Sequence, residues 1–213
     1  MKKLIISIIL GAAVIALCFC IYDSIMQPIN FQKKADWRYE QTKKSLMNIR
    51  DAQVAYKSIH GKYTNNFDTL QNFVKEGSLK VIKAIGTIPD SLYDKYTRKV
   101  AEMKAIELGI VKRDTIEIAC YDSLCKDKYN LDSLRYVPLT GGKIFQLDTA
   151  HVETASKIVV PLFEAKAHND VYLLGLDRQE IVNKTDEAEK NGKYPGLKVG
   201  SLTEINNNAG NWE

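Results

Sequence analysis

Hydrophobic and polar positions divide this chain into an apolar run, a long amphipathic stretch and a mixed remainder. Leu4 to Ile21, reading LIISIILGAAVIALCFCI, holds eighteen residues without a charge. As a helix rising about 1.5 Å per residue it spans roughly 27 Å, close to the hydrocarbon core of a bilayer. Pro28 follows soon after and is expected to kink or interrupt the helix, because it lacks an N–H and crowds the preceding turn. From about Asn30 to Ile59 neither Pro nor Gly occurs. Leu46, Ile49, Gln53, Tyr56 and His60 share one helical stripe with Ala52 and Ile59 beside it, while Lys43, Lys44, Arg50 and Lys57 fall mainly outside it. The pattern predicts a long helix whose upper half packs on a domain. Its lower half, Gln32 to Thr42, is mostly polar apart from Trp37 and Tyr39, and reads as a solvated stalk or a surface for another subunit.

Gly61 closes that helix, and His60-Gly61-Lys62-Tyr63 turns the chain. A shorter helix is predicted from about Phe67 to Lys75, with Asn66 as its cap and Phe67, Leu70, Phe73 and Val74 facing inward. Leu79 to Ile85 reads as a strand, and about Ser91 to Leu108 as a third helix stopped by Gly109. Strand signals follow at Ile110 to Ala119, Leu134 to Val137, Lys143 to Leu147, Lys157 to Leu162 and Asp170 to Leu176. Pro161 marks an edge position, since proline cannot donate to a ladder. Asn183 to Glu213 is rich in Asn, Gly and Lys and reads as irregular, with Leu197, Val199, Leu202, Ile205 and Trp212 as handles for docking on the sheet. The predicted class is α+β, with an N-terminal transmembrane helix continuing into a long amphipathic helix packed on an antiparallel β-sheet domain. Residues 1–22 form the anchor, 23–63 the extended helix or stalk, and 64–213 the α+β domain.

Lys2 and Lys3 precede the apolar run and no basic residue follows it until Lys33, so the positive-inside rule places the N-terminus in the cytoplasm. A cleaved signal peptide fits less well, because its apolar region usually runs about 7–15 residues to a small-residue cleavage site. Here the run continues through Leu17, Cys18, Phe19 and Cys20. Leu17 before Cys18 and Phe19 before Cys20 also argue against lipidation. The expected location is the inner membrane, single-pass, with the C-terminal domain in the periplasm.

The formal charge of +4 is mild, and lysines alternate with acids along most of the chain, so there is no clustered basic face for nucleic acid. Cys120 and Cys125, four residues apart across Tyr121-Asp122-Ser123-Leu124, can form a short looped disulfide in an oxidising compartment or stand as two thiols. A metal site needs more ligands at matching spacing, and His60, His151 and His168 are scattered. No Gly-x-Ser-x-Gly, phosphate loop or paired-His motif is present, so no catalytic residue, metal or cofactor is assigned. Asp170, Asp177 and Glu180 beside His168 form a conceivable carboxylate cluster, but such acids read better as solvated strand ends.

One tripeptide recurs: Asp, then Ser or Thr, then a small or aliphatic residue. It is centred on Ser24, Thr69, Ser91, Thr115, Ser123, Ser133 and Thr149. Seven occurrences stand against a chance expectation of roughly half an occurrence for this composition. Asp and Ser/Thr begin turns and cap helices, after which an apolar residue re-enters the core, and that accounts for several of them. The pattern also resembles the acceptor tripeptide of a general O-glycosylation system of certain Gram-negative bacteria, in which the middle hydroxyl carries the sugar. Both readings are compatible.

Asn48-Ile49-Arg50-Asp51-Ala52-Gln53-Val54-Ala55-Tyr56-Lys57, followed by His60-Gly61-Lys62-Tyr63 and Leu70, resembles the type IV pilin and type II secretion pseudopilin family over about the first 75 residues. The resemblance implies a helix half in the membrane and half packed on a small sheet. It also implies a structural or assembly role in a secretion or surface apparatus, with protein partners or self-association through the long helix. The chain lacks the Gly-Phe processing pair and the Glu five residues into the mature helix, so the architecture is expected without the filament. Trp37 and Tyr39 are the interface candidates. The competing reading is a membrane-tethered module that binds a ligand or partner.

Overall fold

One helix, α1 (Lys2–His60), runs from the apolar stretch to the turn at Gly61. It belongs to a computed structural model that describes residues 2–126 and 128–213, and the side chains of these except 2–6, 8, 81–85 and 112–115. The expected interruption at Pro28 does not occur, because Pro28 lies inside α1 with helix on both sides. Proline in a helix interior costs about 3 kcal/mol. Contacts flanking it offset that cost: Gln27 Nε2 donates to Asp177 Oδ2 at 2.7 Å, and Phe31 is buried.

The buried stripe of α1 comprises Phe31, Ala35, Thr42, Leu46, Ile49, Gln53 and Tyr56, and so begins fifteen residues below Leu46. Of the lower half read as a solvated stalk or a subunit surface, one side thus packs on the domain through Ala35 and Thr42, and the side with Trp37 is exposed. Ala35 and Thr42 are buried against the domain, the Thr42 hydroxyl without a hydrogen-bond partner, and small side chains there let the domain come close. Arg38 Nη1 donates to the carbonyls of Tyr172, at 3.3 Å, and Leu174.

After Gly61, α2 (Phe67–Glu76) starts as expected, with the Asn66 side chain accepting from the Asp68 N–H and Phe67, Leu70 and Val74 buried. Strand β1 (Ser78–Ile85) then pairs antiparallel with β2 (Lys112–Ala119), joining Leu79 to Ile118 and Val81 to Ile116. The helix expected between them is two: α3 (Asp90–Tyr93) and α4 (Arg98–Glu107). Extended Thr97 separates them and its carbonyl opens α4 by accepting from Ala101.

Cys120 ends the strand pattern by beginning α5 (Cys120–Leu124). The strand expected at Leu134 to Val137 is a 3-10 turn, Leu131–Arg135, followed by one bridge from Tyr136 to Ile144. Local bonds select it: Asn130 Oδ1 accepts from the Asp132 N–H and Ser133 Oγ donates to the Asn130 carbonyl.

The second sheet has the order β3 (Gln146–Glu153), β4 (Val159–His168), β5 (Gly196–Gly200), all antiparallel, and α1 packs across β4 and β5. Pro161 pairs with His151 of β3, while β5 covers only Glu164 to His168. Thus β4 is central in its second half and an edge at Pro161, as its missing donor requires.

Asp170 to Leu176 is not a strand: α6 (Asn169–Tyr172) occupies it and buries Asn169 and Tyr172. A short apolar run serves either a strand or a buried helical turn. Much of the segment expected to be irregular is α7 (Arg178–Lys190) and β5. The following loop docks on β5, with the Asn211 N–H donating to the Lys198 carbonyl and the Gly200 N–H to that of Ala209. Leu197 and Val199 are buried, and Trp212 packs against the core. Gly200 adopts φ +76°, and a Cβ there would stand 2.2 Å from the Phe163 carbonyl oxygen, so a side chain is excluded twice.

A buried amide secures the reversal after α1. Gln53 Nε2 donates to the Thr64 carbonyl at 2.6 Å, and Gln53 Oε1 accepts from the Thr64 N–H at 3.2 Å. Gln53→Leu leaves both backbone groups without partners in a part-buried site. It should lower stability by about 2–6 kcal/mol at one to three per unsatisfied group. Urea unfolding of the full chain in detergent measures this, and a loss below half the lower figure would mean that water replaces the amide.

Candidate interface along the long helix

The face of α1 turned away from the sheet carries Lys33, Trp37, Glu40, Lys44, Met47, Asp51 and Val54, alternately four and three residues apart. That is the spacing of a seam that another helix can follow. Trp37 is 56% exposed, Met47 36% and Val54 45%. Large apolar side chains thus stand partly exposed on a charged face. Below them the side chains of Leu10, Ile15, Phe19 and Ile21 are likewise exposed, as α1 contains one stretch long and apolar enough to cross a membrane.

Of the two interface candidates, only Trp37 lies on this face. Tyr39, about 200° further around the helix, is half-buried against the core. Its hydroxyl pKa is raised, first by burial and then by the Glu40 carboxylate. Helical phase distinguishes the two, and the stripe continued downward from Leu46 would have shown it.

Tyr39 instead borders a groove of ≈350 Å³ between α1, α6, α7 and β5, with Tyr172, Tyr194, Asn169 and Asn191 in its walls. Burial, and then Glu164, pushes the Tyr194 hydroxyl up to about 12, so it remains a donor across the physiological range.

Of the carboxylates Asp170, Asp177 and Glu180, only Asp170 lies against His168, and Asp170 and Asp177 have structural roles. His168 Nδ1 accepts from the Asp170 N–H, Arg178 pairs with Asp170 at 2.7 Å, and Asp177 caps α7 by accepting from the Glu180 N–H at 3.1 Å. The Asp177 carboxyl lies below its ordinary range, first through the Glu180 N–H and then through Gln27. A depressed pKa means that this attachment is complete above the ordinary carboxylate range and is lost as pH falls through the lowered value. Asp177-x-x-Glu180 is itself a helix-start signal that marks α7 in the sequence. Among the described residues, no group of three His, Cys, Asp or Glu is placed to hold a metal.

Four of the Asp-Ser/Thr tripeptides fall at helix starts: their aspartates occupy the first turns of α2, α3, α5 and the 3-10 turn. Leu70 and Leu134 then enter the core. Ser24, Thr69, Ser91, Ser123 and Ser133 belong to exposed residues, and Thr149 in β3 is half-buried. Thr115 lies in β2 with its side chain outside the described residues.

Cys120 and Cys125 are buried free thiols, without the bridge that their spacing allows. They open and follow α5, where five residues of helical rotation point their side chains apart. Cys125 Sγ donates to the Tyr129 carbonyl at 3.0 Å. Burial raises both thiol pKa values.

Comparison with known proteins finds no match among family models, curated proteins or solved structures.

The two thiols should resist maleimide in the folded full chain at neutral pH and react in urea without prior reductant. Mass spectrometry of unreduced, urea-alkylated peptides checks this; a bridged Cys120–Cys125 peptide would contradict it.

Proposed function

We propose that the chain is a non-enzymatic, single-pass component of a bacterial envelope apparatus. It is anchored in the inner membrane by α1 with its domain in the periplasm, and it works as a structural or assembly subunit. The observation that carries this reading is the seven-residue face of α1 opposite the sheet, with Trp37, Met47 and Val54 exposed among alternating charges. Exposed aromatic and aliphatic side chains at seam spacing fit a partner helix. The pilin-like layout of anchor, long helix and sheet fits the same role. Its membrane placement rests on the uncharged run of α1 and the lysines before it.

The charges narrow the kind of partner. In an unshifted parallel pair of copies, Lys33, Glu40, Lys44 and Asp51 each meet themselves, which opposes association. The face therefore fits the helix of another envelope protein better than its own image. The exposed hydroxyls of Ser24, Thr69, Ser91, Ser123 and Ser133 suit O-linked sugars on the periplasmic side. A second reading, a tethered ligand-binding module, is favoured by the tyrosine- and asparagine-walled groove at Tyr39.

Photocrosslinking amino acids at positions 37 and 47 of the full chain in cells should give intermolecular adducts. One at position 39 should crosslink within the chain, to the segment around Tyr172. Identification of a membrane-anchored envelope protein at both 37 and 47 supports the assembly role. No adduct at either position, with capture of a small ligand at 39, would shift the assignment to the groove.

A further inference from the structure

The groove beside Tyr39, walled by α1, α6, α7 and β5, holds polar groups that the fold leaves unpaired. Asn169, 2% exposed, is fixed by its backbone N–H on the Pro195 carbonyl and by Nδ2 on Thr185 Oγ1 at 3.1 Å. Its Oδ1 accepts no hydrogen bond from the described residues. Tyr172 is likewise 2% exposed, and its hydroxyl has no hydrogen-bond partner among the described residues. Neither oxygen is sealed in the interior, because the fully enclosed, unpartnered side-chain atoms among the described residues are Thr42 Oγ1 and Arg135 Nε. Both oxygens therefore open onto the groove that their residues line. Such atoms on buried residues cost stability unless something in the groove meets them.

Tyr39 and Tyr194 add two more phenols whose hydroxyls have no hydrogen-bond partner among the described residues. Burial, first among the causes, raises the pKa of all three tyrosines, so each keeps its proton and can both donate and accept. The walls are preformed. The Tyr194 ring is held edge-on to His168, centroids 6.3 Å apart, with the Lys166 and Lys198 ammoniums each 5.9 Å from its centre. Asn211 is committed on both sides, Nδ2 donating to the Gly196 carbonyl at 2.8 Å and Oδ1 accepting from the Lys198 N–H at 3.1 Å. The charged lining residues, Lys184, Lys193 and Glu187, are of mixed sign, which does not suit a phosphate, and Ala188 is the aliphatic side chain present, which does not suit an apolar ligand. Groups that both donate and accept, set between aromatic rings, match a sugar, whose hydroxyls do the same and whose ring carbons present an apolar face.

We infer that this groove binds a short uncharged saccharide, with Tyr172 Oη and Asn169 Oδ1 meeting its hydroxyls and Tyr39, Tyr194 and Asn191 around it. A volume of ≈350 Å³ stands at the small end of ligand pockets, as a short saccharide requires. The inference rests on the ligand-binding reading of the groove and names its ligand class. Trp37 lies on another face of α1, so the groove and the seam can be occupied together.

The test uses the full chain in a zwitterionic detergent, because a glucoside or maltoside detergent would compete. Saturation-transfer NMR with maltose, lactose and diacetylchitobiose as probes should show binding of at least one. Tyr172→Phe keeps the ring and removes the hydroxyl, so that saccharide should bind several-fold more weakly. Asn191→Ala, at an exposed position, should also weaken it without touching the core, and Tyr136→Phe, an exposed tyrosine outside the groove, should leave it unchanged. Saccharide binding that neither Tyr172→Phe nor Asn191→Ala weakens overturns the site. Binding of alanylalanine or inorganic phosphate with those same two sensitivities, and of no saccharide, overturns the ligand class and leaves the ligand-binding reading standing. No binding by any of these probes overturns both.

Discussion

The continuity of α1 through Pro28 is the constraint on which the remaining geometry depends. A single helix carries the apolar run, the polar residues Asp23, Gln27, Asn30 and Lys34 beside the Gly175 turn, the buried stripe and the Gln53 clamp in one rotational phase. A kink at Pro28 would uncouple the domain's height and facing from the apolar segment. The domain counters that by gripping the helix on both sides of the proline, through Gln27 below it and Phe31, Ala35 and Arg38 above it. Tertiary contacts supply what local propensity withholds, as is common for helices whose stability comes from packing a face.

Polar groups along this contact are satisfied mainly by backbone partners. Arg38 takes the carbonyls at the end of α6, Gln53 takes both groups of Thr64, and Asp177 caps α7 while accepting from Gln27. Each bond joins α1 or its neighbour to a chain reversal. The reversals are where backbone donors and acceptors lack ladder partners, so they are the places where a buried polar side chain contributes most. The same economy explains the acids near His168. Asp170 pairs with Arg178, and Asp177 caps α7 while accepting from Gln27.

Where periodicity was long, the sequence was informative. The apolar run, the stripe from Leu46 to Tyr56, Asn66 capping α2 and the pairing segments of β1 and β2 are visible from residue spacing alone. The misreadings fell where tertiary contact overrides local pattern. Gln32 to Thr42 looks like a polar stalk because its two buried residues, Ala35 and Thr42, are small, yet small residues let the domain approach. Asp170 to Leu176 reads as a strand because an apolar run of that length has no period of its own, whereas α6 ends at the buried Tyr172 and the rest is turn. The segment from Asn183 onward hides α7 behind a polar composition, although Asp177 and Glu180 mark its start. For the candidate face, Trp37 could be read from its size in a polar stretch. Tyr39 was paired with it by proximity in sequence, and helical phase sends the two to opposite sides.

The placement of domain and seam on opposite faces of one rod has a mechanical consequence. Trp37 stands about 24 Å beyond Ile21, and the seam from Lys33 to Val54 extends roughly 32 Å along the helix. Packing on the domain along the opposite side holds the seam straight over that length and in one rotational phase. A helix laid along it would meet side chains whose backbone is already ordered, and ordering before encounter lowers the entropy lost on docking. Three partly exposed apolar side chains among mixed charges offer little area, so such a contact would depend on that pre-ordering.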